Sequence, residues 1–121
     1  MGSKPWGNPS YPYLTLINNG VIPAGDTGLT EVLDVMTYSR LTIYVKTDKN
    51  MNVYVKGGIE DTNICHLVSG TSVQDEDTAR VWNINNTLKC FSITEHIAYL
   101  QILIDNVDTT EATVSVWLSG D

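Results

Sequence analysis

The sequence predicts an all-β protein, an antiparallel β-sandwich of jelly-roll-like form with eight or nine short strands. Three observations carry that prediction. Leu41-Thr42-Ile43-Tyr44-Val45-Lys46-Thr47 alternates apolar and polar residues, and Met51-Asn52-Val53-Tyr54-Val55-Lys56 resumes the alternation after Asp48-Lys49-Asn50; this period of two belongs to a strand with one buried face. Short apolar or alternating segments recur at roughly 8–12-residue spacing between Gly, Asn and Asp turns, the rhythm of a sandwich or barrel. No window places apolar residues at i, i+3, i+4 and i+7 over three turns, the pattern an amphipathic helix needs.

The elements follow in order. Residues 1–12 form an arm in which Pro5, Pro9 and Pro12, with Gly2 and Gly7, oppose regular structure. Trp6 and Tyr11 give this arm apolar surface, so it is expected to dock on a partner chain. Residues 13–121 form one sandwich domain, since a chain of 121 residues hides roughly two thirds of its unfolded surface. Tyr13 to Ile17 reads as a first strand ending at the turn Asn18-Asn19-Gly20. Leu29 to Val35 reads as a second, being richer in strand alternation than in helical period. Leu41–Thr47 and Met51–Lys56 read as a hairpin turning at Asp48-Lys49-Asn50. Ile64 to Val68 is short. Gln74-Asp75-Glu76-Asp77 is an acidic loop, followed by Ala79 to Ile84. Asn85-Asn86 turns into Leu88 to Thr94. Ala98 to Asp105 is the strongest central strand, and Ala112 to Leu118 is the last.

Composition excludes several functions. Lys plus Arg total 7 against 14 for Asp plus Glu, a net charge of −7. Binding a nucleic-acid backbone or an anionic bilayer needs clustered cations, so neither partner is expected. No run approaches the ~18 apolar residues of a membrane span, and the N-terminal residues lack the apolar stretch of a secretory signal. Cys65 and Cys90 are too few for a disulfide framework and are expected to be free thiols in a reducing compartment.

Catalytic chemistry finds no support. Cys65, His66, Cys90 and His96 are the only thiols and imidazoles, but adjacent Cys65 and His66 point to opposite faces of a strand. No G-x-S-x-G elbow, Gly-rich phosphate loop or EF-hand spacing occurs. The sequon Asn85-Asn86-Thr87 matters only in a secreted chain. No catalytic residue, cofactor site or metal site is assigned, and the chain is not expected to be an enzyme.

The aromatic residues are the residue-level lead. Tyr44 and Tyr54 fall on the polar face opposite Ile43 and Val53, and Trp117 falls opposite Val116. Rings on the solvent face of a sheet stack on sugars or bury against protein. The candidate partner-binding residues are Trp6, Tyr11, Tyr44, Tyr54, Trp82 and Trp117.

The pair Leu41–Thr47 and Met51–Val55, followed by Tyr99-Leu100-Gln101-Ile102-Leu103-Ile104 and Ala112–Ser119, resembles the small jelly-roll accessory proteins of tailed bacteriophage virions. These include the decoration, or cement, proteins of capsids, usually trimers. The resemblance implies a non-enzymatic structural protein that decorates or cements a capsid. It would be made in the host cytoplasm, reside in the virion as a homotrimer, and contact the major capsid protein or another virion protein. The alternative reading is a carbohydrate-binding module or adhesin domain using Tyr44, Trp82 or Trp117.

Overall fold

The computed structural model describes residues 13–67 and 79–121; the arm 1–12 and the acidic loop at 74–77 lie outside the described residues. The described residues form eight strands: β1 (Leu14–Ile22), β2 (Thr27–Leu29), β3 (Leu33–Asp34), β4 (Leu41–Glu60), β5 (Asn63–His66), β6 (Val81–Ile93), β7 (Tyr99–Asn106) and β8 (Ala112–Gly120). All pairings are antiparallel, and the described residues contain no helix. The fold class is the one the alternation predicts.

The predicted hairpin is not there. β4 runs unbroken for 20 residues through Asp48-Lys49-Asn50. Its first part pairs with β8, ending at Thr47 opposite Val114, and its second part pairs with β7, starting at Met51 opposite Asn106. The polar triplet makes a bulge, where β4 advances three residues from Thr47 to Asn50 while β6 advances two from Thr87 to Asn85. Bulges bend a strand and sharpen its twist. The polar atoms of the triplet hold the neighbouring β7–β8 corner: Thr113 N–H donates to Asp48 Oδ1 at 2.8 Å, and Asn50 N–H donates to Asp108 Oδ2 at 3.2 Å.

Two other predicted turns are also irregularities within continuous strands. β1 passes through Asn18-Asn19-Gly20 with its register against β8 shifting on the way. β6 passes through Asn85-Asn86. Asn19 has φ of 52° and Asn86 of 49°, the left-handed region that asparagine tolerates because its short polar side chain bonds locally. Asn19 does so across to β8: its N–H donates to Ser115 Oγ at 2.9 Å, and that hydroxyl donates back to Asn19 Oδ1 at 3.2 Å. The three irregularities lie next to one row of partners, Gly20, Val114, Thr47 and Thr87. They crease the sheet along that row.

The crease folds one sheet into two facing halves. The first half is β1, β8, Leu41 to Thr47 of β4, and Thr87 to Ile93 of β6. The second is β2 and β3, β7, Met51 to Gly58 of β4, and Val81 to Asn85 of β6, with β5 continuing that edge. The segment predicted as one strand, Leu29 to Val35, is divided between β2 and β3. Between them Thr30 is buried, and its Oγ1 accepts the Ile102 N–H at 2.9 Å.

One core fills the space between the halves. Ile43, Val45, Val114, Val116 and Leu118 from the first pack with Met51, Val53, Val55, Leu100, Ile102 and Ile104 from the second. Each of these side chains is completely buried, a stabilisation of about 1.5–3 kcal/mol apiece for residues of this size. At the β6 edge, Trp82 and Phe91 stack with ring centroids 4.6 Å apart. Trp82 pairs with Val53 and Phe91 with Ile43, so the stack joins the two halves. At the opposite edge Gly28 of β2 lets Ile22 of β1 approach; a Cβ there would lie 2.9 Å from Ile22 Cδ1.

Asn106 secures the corner after β7. It is fully buried, and its Nδ2 donates to the carbonyls of Ile22, Pro23 and Thr110 while its Oδ1 accepts the Asp108 N–H. A buried amide so placed leaves little of its polar capacity unmet.

Candidate interaction face

The face that carries candidate residues is the outer surface of the first half-sheet. Odd positions of β4, from Leu41 to Thr47, turn inward and are buried, which sends Thr42, Tyr44 and Lys46 outward. Register then fixes what stands beside them. Tyr44 is opposite Cys90 on β6 and Trp117 on β8, and Trp117 is opposite Thr15 on β1. Thr42 is opposite Ser92 and Ser119. Lys46 is opposite Leu88 and Ser115. The outer surface therefore carries three parallel rows: one of hydroxyls, one built on Tyr44 and Trp117, and one containing Lys46 and Leu88.

Tyr13, Tyr44, Leu88, Trp117 and Ser119 line a shallow groove of about 400 Å³. That size lies within the range of small-molecule sites. Next to it, Thr42, Ser92, Thr94 and Ser119 line a second, polar cleft of about 330 Å³, closed at one end by Arg40 and Asp121. Ser119 belongs to both. Arg40 and Asp121 form an ion pair, and their backbones bond to each other, with the Asp121 N–H donating to the Arg40 carbonyl at 3.0 Å.

The structure thus brings two candidates, Tyr44 and Trp117, side by side. Tyr54 lies on the second half-sheet, where its ring meets His66 edge-on at 5.5 Å. Trp82 is half-buried against the core, because the irregularity at Asn86 reverses the parity of β6 and turns even positions inward before it. Trp6 and Tyr11 lie outside the described residues. Sequence reasoning missed Tyr13, Leu88 and Ser119 as groove residues. Leu88 comes to this face because β6 runs on through Asn85-Asn86 and pairs it with Lys46.

The titratable groups with shifted behaviour lie elsewhere. The Arg80 guanidinium donates to Glu95, with one contact of 3.0 Å, and holds that carboxyl below the usual carboxylate range. The backbone N–H groups of Asn50 and Thr109 do the same for Asp108. Cys65 and Cys90 are exposed free thiols on different strands. Among the described residues no three His, Cys, Asp or Glu side chains gather as metal ligands do.

No family model matches the chain, and no curated protein matches it. Solved structures do share the fold. The PBSX exported protein XepA superposes with a TM-score of 0.68 and 12% identity, over 98% of this chain and 39% of XepA. The chain therefore spans well under half of that protein's length. The SPBc2 prophage-derived protein YomS superposes at 0.53 with 17% identity, over 88% of this chain and 89% of YomS. PirA superposes at 0.52 with 4% identity, over 96% of this chain and 99% of PirA. The likeness shows a shared all-β fold, and two of these three neighbours, XepA and YomS, are phage-derived.

Proposed function

We propose that this chain is a non-enzymatic structural protein of a bacteriophage virion, acting through protein contacts to decorate or cement a capsid. The observation that carries the proposal is the fold itself, shared nearly end to end with the prophage-derived YomS and across 98% of this chain with XepA. The sheet edges are consistent with it. Among the described residues, β1 pairs only with β8 and β6 only with β4. β1 carries no charged residue, and β6 carries a single one, Lys89. Soluble proteins commonly protect such edges with charges or proline, and uncharged ones suit strand addition by a neighbour. A homo-oligomer follows from this reading, a trimer being the expected state.

The test is to purify particles from cells producing the chain and count its copies by quantitative mass spectrometry. The proposal expects a fixed, symmetric copy number per particle that survives high salt. Recovery of the chain only in the particle-free fraction would overturn it.

A further inference from the structure

We propose that the groove on the first half-sheet is a binding site for a neutral saccharide, with Trp117 and Tyr44 as the stacking platform. This inference goes beyond the structural role proposed above and stands without it. The argument rests on the order of the rows. A sugar ring has an apolar C–H face, which packs on aromatic rings, and an edge of hydroxyls, which needs hydrogen-bond partners. Tyr44 and Trp117 are direct cross-strand neighbours that line the same groove, so both side chains rise from adjacent positions on one sheet face. The row beside them supplies three hydroxyls, Ser92, Thr42 and Ser119, again as direct cross-strand neighbours. A ring lying on Tyr44 and Trp117 places its edge over that row.

The shape and charge agree. The groove and the polar cleft adjoin through Ser119, giving an apolar floor that continues into a polar one. Neither the aromatic row nor the hydroxyl row contains a charged side chain. Arg40 at the far end is neutralised by Asp121, and the chain carries a net charge of −7, which disfavours an anionic ligand. The strands that carry the platform are the interior strands of this half, so the rings are held by pairing on both sides; preorganised rings lose little freedom on binding. On the second half-sheet the corresponding row runs Val81, Tyr54, Leu103 and Leu29; it holds one aromatic ring in place of two, and that ring meets His66 edge-on.

The experiment titrates the full chain by calorimetry with a panel of neutral hexaoses: maltohexaose, cellohexaose, laminarihexaose and chitohexaose. The expected result is submillimolar binding of at least one. Trp117→Ala then weakens it by about tenfold or more, equivalent to about 1.4 kcal/mol, and Tyr44→Ala weakens it by several-fold. Trp117→Phe retains most of the affinity, which guards against a folding defect, and Tyr54→Ala leaves it unchanged. No binding across the panel overturns the proposal. So does binding that Trp117→Ala leaves intact, or a Trp117→Ala variant whose only defect is loss of self-association or particle attachment, which would make the groove a protein contact. Failure here leaves the particle copy number untouched, so the two readings fall separately.

Discussion

The two half-sheets have matching inner faces and different outer ones. Inside, Leu41, Ile43 and Val45 of β4 mirror Met51, Val53 and Val55 of the same strand, and β8 mirrors β7. Outside, the first half presents the Tyr44–Trp117 platform with its hydroxyl row, whereas the second presents Asn52, Tyr54 and Lys56 on β4, Gln101, Leu103 and Asp105 on β7, and Val81 beside Tyr54 on β6. The inner faces are dictated by folding, because both must supply the same apolar layer to one shared core. The outer faces are free of that demand. Where they differ, the difference reports use.

The largest expected effects test the matched interior. Ile43→Ala and Ile102→Ala, one in each half, are both completely buried positions and each should cost about 3–4 kcal/mol through lost burial and a cavity. Urea denaturation followed by tryptophan fluorescence reads this; a large loss in one half and none in the other would break the symmetry. Next comes the corner that joins the halves. Asn106→Leu removes three donated bonds and one accepted bond, leaves buried carbonyls unmet, and should cost about 3 kcal/mol. Outer substitutions should do far less: Tyr44→Ala and Tyr54→Ala should each change stability by about 1 kcal/mol or less, although only Tyr44 belongs to the platform.

The smallest effect is acid sensitivity. Glu95 and Asp108 have folded-state carboxyls lowered by their donors. Their contribution is complete above the unfolded value of about 4 and is lost as pH falls through the folded values. Native stability should therefore decline below about pH 4, and Glu95→Gln should flatten that decline. An unchanged acid slope in that variant would remove the Arg80–Glu95 pair from the account.

The alternation in the sequence made the fold class and most of the core legible. Ile102, Ile104, Val114 and Val116 are buried as period two requires. What the sequence hid was continuity. Asn18-Asn19-Gly20, Asp48-Lys49-Asn50 and Asn85-Asn86 carry the chemistry of tight turns, and the same backbone preferences serve bulges. Only partners remote in sequence tell the two apart: Asp48 meets Thr113, and Asn19 meets Ser115. The candidate face was half legible for the same reason. Tyr44 and Trp117 follow from parity within their own strands, but their adjacency depends on β4 pairing with β8. Trp82 is turned inward by an irregularity four residues away.

The platform, the hydroxyl row and the facing halves all require β4 to be one strand. The direct measurement is the set of cross-strand nuclear Overhauser contacts in the isotopically labelled protein. The account predicts backbone contacts from Tyr44 to Trp117 and Cys90, and from Val53 to Ile104 and Trp82, matching the pairings of the structure. Contacts from Thr47 to Met51 and from Val45 to Val53 across a turn at Asp48-Lys49-Asn50 would restore the hairpin and contradict it.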